Sequence, residues 1–208
     1  MTATTTTPTE STTAAAAEWE KMFENGATPY TTEPFLTDLL KANCPRGSRA
    51  MDIGAAYGRD SLFLANELGC TVVAVEPTVS GSEAMKASAS SPKLKVLNVS
   101  ASEIPWRDDD LYSFILLDSV LQFIAEGDRP GVVSKAVDHL TPNGVLMVAS
   151  HPDEHAAIVL PLLDALAPAA VTVREEERTL VCPFEMVWEG EAFEAAFHVA
   201  LVRPRSSL

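Results

Sequence analysis

Apolar runs and helical stripes alternate along the chain. Ala15, Trp19, Met22 and Phe23 fall at helical spacing, with Asn25-Gly26 as a stop. Phe35, Leu36, Leu39 and Leu40 form a second stripe, entered through Thr32 with Pro34 in its first turn. "RAMDI" then reads as a short strand and "SLFLANEL" as a helix closed by Gly69. "TVVAV" is a strand apolar throughout, the pattern of a strand covered on both faces. The Ser/Ala-rich residues 78–91 predict another helix, "LKVLNV" a third strand and "SFILL" a fourth. Val132, Val133, Ala136, Val137 and Leu140 mark a helix, after which "TPNG" is expected to turn the chain into a fifth strand, "VLMVAS". Ile158, Val159, Leu162, Leu163 and Leu166 line one more helix, with Pro161 as its expected kink. "VTVREEERTLV" and "FHVALV" alternate better and predict antiparallel strands at one sheet edge. This order predicts an α/β, doubly wound, largely parallel sheet with helices on both faces.

Composition narrows the class. A chain of 208 residues holds one sizeable core. Residues 1–14, rich in Thr and Ala, have little to bury and are expected to be a disordered tail, leaving 15–208 as a single domain. Fifteen Lys and Arg stand against 29 Asp and Glu, a net charge of −14, which repels phosphate backbones and anionic lipid. The expected partners therefore include neither nucleic acid nor membrane, and the chain is expected to be a monomer or homodimer. No apolar run approaches the roughly 20 residues that span a bilayer. The start lacks a basic region followed by an apolar core, which predicts a cytoplasmic protein. Cys44, Cys70 and Cys182 form no CxxC pair and are read as reduced, buried thiols rather than a metal-holding trio.

The chemistry concentrates in "MDIGAAYGRDS". A strand turning sharply into a helix points free N–H groups at whatever sits above it, and glycines let a ligand lie on the turn. Gly54 and Gly58 occupy such a turn, and Glu76 ends the next strand 22 residues after Gly54. From there a carboxylate can accept both hydroxyls of a ribose, so the expected ligand contains adenosine. A dinucleotide would need G-x-G-x-x-G. Here Ala56 stands where the middle glycine would be, which disfavours NAD and FAD.

Together, "MDIGAAYGRDS", "VVAVEP", "NVSASEIPW", "YSFILLDSVLQFI" and "LTPNGVLMVAS" resemble the class I S-adenosylmethionine-dependent methyltransferases. Within them, "GRDSLFLA" and "VLQFI" look most like the small tellurite-resistance-type enzymes. The resemblance implies a Rossmann-like, seven-stranded, mostly parallel sheet whose last strand is antiparallel, with S-adenosyl-L-methionine as cofactor. It implies that Gly54, Ala55 and Gly58 form the turn under the methionine part and that Asp52 helps hold the α-amino group. Glu76, with Pro77 beside it, would take the ribose. Ser100 and Ala101 would lie near adenine, Asp118 and Ser119 beneath the sulfonium, and Arg59 beside the cofactor carboxylate. Arg59 reads equally as a partner for neighbouring acids.

The chain departs from the family at several points. Ala56 replaces a preferred glycine, Ser100 an aspartate, and "TPNG" the usual PGG. The stretch "REEERTLVCPFEMVW" lacks the His-Arg pair expected of a tellurite enzyme. If the acceptor must lose a proton, His151, Asp118 and Tyr30 are the candidate bases. His139 and His198 read as structural. Trp19, Phe23, Tyr30 and Phe35 are expected to form an aromatic lid, Trp19 and Phe23 equally a buried helix stripe. The function expected is methyl transfer to a small-molecule or metalloid acceptor. The alternative is a binding or regulatory protein whose cofactor site Ala56 and Ser100 have weakened.

Overall fold

In the computed structural model, residues 10–24, 36–166, 170–182 and 193–204 are described. The strands are β1 (Arg49–Ile53), β2 (Thr71–Val75), β3 (Leu94–Leu97), β4 (Tyr112–Asp118), β5 (Leu140–Ser150), β6 (Ala170–Cys182) and β7 (Phe193–Pro204). They form one sheet in the order β3-β2-β1-β4-β5-β7-β6. β1 to β5 pair in parallel, and β7 runs antiparallel between β5 and β6. Strand order reverses between β1 and β4, so a crevice opens at their carboxyl ends.

The period of two along the strands divides the core. Met51, Ile53, Val73, Val75, Ile115 and Leu117 face α5 (Arg129–Asp138) and α7 (Leu160–Leu166). Ala50, Val72, Phe114, Leu116 and Met147 face α2 (Thr37–Asn43) and α3 (Arg59–Asn66). Asp52 shares the second set's parity, so the last inward position of β1 before the bend carries a buried acid instead of a hydrocarbon. On that face Cys44 and Cys70 bring their sulfurs to 3.5 Å, and burial together with the second thiol pushes Cys44 up to about 12.

Four expectations change. α1 spans Glu10–Glu24, so the last five residues of the expected tail are helical. The run Ala14–Ala17, of the highest helix propensity, carries the helix toward the N-terminus. "TPNG" does not precede the fifth strand but lies within it. Tyr112 pairs with Leu140 and Phe114 with Val145, so residues 141–144 bulge out opposite a single residue. Pro161 does not mark a simple kink. The short α6 (Pro152–Glu154) passes through a π-helical turn, His155–Val159, into α7, which absorbs the carbonyl that a proline leaves unbonded. β3 stops at Leu97, because Asn98 turns away to donate to the carbonyls of Glu76 and Thr78, 2.9 Å each. The second stripe forms α2, while Thr32, Pro34 and Phe35 lie outside the described residues. No helix among the described residues is long and apolar enough to cross a membrane.

Within the β5 bulge, a Cβ on Gly144 would stand 2.9 Å from the Tyr112 carbonyl oxygen and 3.0 Å from Thr141 backbone atoms. Neither neighbour is a flexible side chain. Gly144→Ala should therefore cost about 1–3 kcal/mol in urea denaturation, and an unchanged midpoint would contradict the bulge.

Candidate functional site

The bend after β1 is built from left-handed backbone. Gly54, Ala56 and Gly58 have φ of 81°, 50° and 83°. Gly54 and Ala55 donate their N–H groups to the Val75 carbonyl, 2.9 Å each, which ties the bend to β2. Alanine in this conformation is uncommon and strained. Here its N–H is held at 2.9 Å by Oε2 of Glu76. Oε1 of the same carboxylate accepts Thr78 N at 2.9 Å and Thr78 Oγ1 at 2.5 Å. Glu76 thus braces the bend that lies beside it. A carboxylate offers about four lone-pair directions, so one is left open. Burial raises the Glu76 carboxyl above its ordinary value against the pull of these hydrogen bonds.

Across the crevice, Arg59 donates from Nη2 to Asp60 Oδ2 at 3.0 Å and to Asp118 Oδ2 at 3.2 Å. Ser61 Oγ donates to Asp52 Oδ2 at 2.6 Å. Ser119, held at φ 52° where β4 ends, donates from Oγ to Asp118 Oδ1 at 3.0 Å. One guanidinium therefore serves a set of acids withdrawn from water. Burial first, and then the charge of Asp60, push Asp52 up to about 8 and Asp118 up to about 6.

α1 forms the remaining wall. Its Glu20 carboxylate accepts Val79 N at 2.8 Å and Ser80 N at 3.0 Å, with Ser80 Oγ as a third donor. It thereby caps α4 (Val79–Ser88), whose own N-cap residue, Thr78, makes no side-chain capping bond. Above the bend Phe23 packs on Tyr57, ring centroids 4.2 Å apart, and Trp19 meets Phe123 edge-on at 5.6 Å. His151, just past the end of β5, and Phe197, within β7, stand 4.8 Å apart. The cavity, open to solvent on one side, holds about 380 Å³, near the lower end of the roughly 300–1,000 Å³ typical of ligand sites.

Of the residues singled out in the sequence, Asp52, Gly54, Ala55, Arg59, Glu76 and Pro77 line this cavity. Ser100, Ala101, Asp118, Ser119 and His151 line it too. Gly58 does not. A Cβ there would meet Met85 Cγ at 2.4 Å, so packing against α4 and a left-handed N-cap for α3, rather than a ligand, require the glycine. Ser100 donates its hydroxyl proton to Glu103 Oε2 at 2.6 Å and caps the 3-10 turn Ala101–Glu103. Tyr30 lies outside the described residues. His155, beside His151 in sequence, is buried and bonded to Ser150, and His139 holds the Lys135 carbonyl. The sequence reading missed Asp60, Gln122, Phe123 and Phe197 as lining residues. For Asp60 the signal was its place one residue after Arg59 in the first turn of α3, and for Phe197 its inward parity on β7.

Residues 50–144 match the family of methyltransferase domains. No curated protein sequence matches the chain significantly. Solved structures of similar fold include a TehB-like S-adenosylmethionine-dependent methyltransferase from Corynebacterium glutamicum, 18% identical, TM-score 0.63, covering 93% of this chain and 98% of that one. The N-methyltransferase NodS from Bradyrhizobium japonicum, solved with S-adenosylhomocysteine, is 15% identical with TM-score 0.68, covering 92% and 99%. A candidate RNA methyltransferase from Pyrococcus horikoshii is 14% identical with TM-score 0.64, covering 92% and 98%. The fold is that of the Rossmann-like methyltransferases.

The residues that line the cavity fit S-adenosylmethionine. A Cβ on Gly54 would meet Val120 Cγ2 at 2.3 Å, so packing and a φ of 81° require glycine at this edge of the cavity. Glu76 offers an open lone pair, and the acids around Arg59 favour a ligand carrying positive charge. One consequence concerns stability without ligand. Asp52 titrates near 8 in the folded chain against an ordinary 3.8, so between those values the folded state binds more protons than the unfolded. Stability present at acid pH is then lost as pH rises through 8. Asp52→Asn removes that loss. Its melting midpoint relative to the parent should be higher at pH 8 than at pH 5, and a difference independent of pH would contradict the shift.

Proposed function

We propose that this protein transfers a methyl group from S-adenosylmethionine to a small-molecule acceptor, acting in the cytoplasm as a single domain over residues 15–208. One observation carries the reading: a left-handed bend, braced by Glu76, opens directly onto a cavity lined by Asp52 and Asp118. When bound, the cofactor supplies a methyl group on a positively charged sulfur, a good leaving group.

The chain supplies the surroundings. Asp52, ionised when a ligand ammonium reaches it, holds the amino end. Glu76 receives one ribose hydroxyl on its open lone pair and a second only by displacing Thr78. The wall of Trp19, Phe23 and Phe123 excludes water. Holding nucleophile and methyl in line contributes most of the acceleration, of order 7–11 kcal/mol in well-oriented cases. Asp118 and His151, at the ends of paired strands, are placed to take a proton from the acceptor. The net charge of −14, which disfavours nucleic acid, supports a small acceptor.

The second reading, a binding or regulatory protein, draws on the commitment of Ser100 to Glu103. Against it, Ala56 is accommodated in the bend without losing the Glu76 bond. Calorimetry with S-adenosylhomocysteine separates the two. Methyl transfer requires micromolar or tighter binding, weakened in Glu76→Ala by about 1–3 kcal/mol. No heat at millimolar ligand, or an unchanged affinity in the variant, would overturn the assignment.

A further inference from the structure

Resting on the methyl-transfer reading, we propose that the acceptor is a small amine on an apolar or aromatic body, and that the site rejects carboxylates and oxyanions. The charge balance of the cavity carries this. Asp52, Asp60, Glu76 and Asp118 line it, and Arg59 is the one lysine or arginine among its described lining residues. That guanidinium already bridges Asp60 and Asp118. Two further stretches of the sequence add acids and no cations. Residues 25–35 and 183–192 contain Glu33, Glu185, Glu189 and Glu191 and no lysine, arginine or histidine. Wherever those stretches lie, they add no positive charge. An anionic acceptor would enter a site where, among the described lining residues, acids outnumber cations, whereas an ammonium finds attraction.

The walls match the rest of such a molecule. Trp19, Met22, Phe123 and Phe197 present apolar and aromatic surface, and an indole face is the strongest of the aromatic partners for a cation. The chemistry also closes. An ammonium arriving from water gives one proton to Asp118 or His151, and its freed lone pair bonds the methyl carbon. The carbon–sulfur electron pair stays on sulfur, leaving neutral S-adenosylhomocysteine, and the product departs as a methylammonium. Asp118 ends β4 and pairs in register with Ala149 of β5, two residues before His151, so the proton acceptors are neighbours. A charged oxyanion would bring no proton to remove and would leave both groups without a task.

The test is calorimetry on the full chain, first with S-adenosylhomocysteine alone, then with that ligand saturating and one of two matched probes added. The probes are 3-phenylpropylamine and 3-phenylpropionate. The amine should bind at least tenfold tighter than the carboxylate, and Asp118→Asn, checked for an unchanged circular dichroism spectrum, should shrink that preference. A carboxylate that binds as well as the amine, or neither probe binding at about 20 mM, would overturn the proposal. Absence of heat in the first titration would instead remove the methyl-transfer reading on which it stands.

Discussion

Carboxylates are costly to withdraw from water, and this fold withdraws several at one place. Asp52 ends the inward face of β1, Asp118 ends β4, and Asp60 opens α3, so the reversal of strand order brings all three to the same crevice. Arg59 stands among them and cannot neutralise them all. The folded chain responds by holding protons: Asp52 titrates near 8 and Asp118 near 6, chiefly because of burial. A crevice in that condition is complementary to a cation. The ligand reading, the proposed acceptor and the loss of stability at rising pH all follow from this one imbalance.

The backbone around the imbalance is equally constrained. Alanine at φ 50° and serine at φ 52° are conformations that persist only where neighbours hold them. Glu76 holds the first, and the Ser119 N–H bond to the Ala149 carbonyl, 2.9 Å, holds the second. Glu76 also links the bend to α4, whose N-terminus is capped from outside by Glu20 of α1. The bend, α4 and the aromatic wall are therefore joined through two carboxylates, and the wall's position is coupled to the floor of the cavity.

Much of this was legible in the sequence because local rules and tertiary structure agree there. Gly54 and the strand-end acid Glu76 announced a sharp bend at the cavity, and "TVVAV" a strand buried on both faces. Where the reading failed, long-range contacts decided. "TPNG" carries the residues of a turn, yet β4 pairs on both sides of it and converts it into a bulge. Gly58 looked like part of a ligand turn, but Met85, 27 residues later, is what excludes a side chain there. Asp60 and Phe197 reach the cavity from elements far apart in the chain, α3 and β7, a juxtaposition no local pattern encodes. Glu76 was expected to be free for a sugar, and its three existing bonds became visible only with Ala56 and Thr78 in place.

The central claim is that the crevice stores protons in place of a ligand's positive charge. Proton exchange on binding tests it most directly. S-adenosylhomocysteine should be titrated at pH 7 into the protein in buffers of differing ionisation heat. An ammonium meeting Asp52 ionises it, so close to one proton should be released per ligand bound. Binding with no proton released, or with protons taken up, would contradict the account.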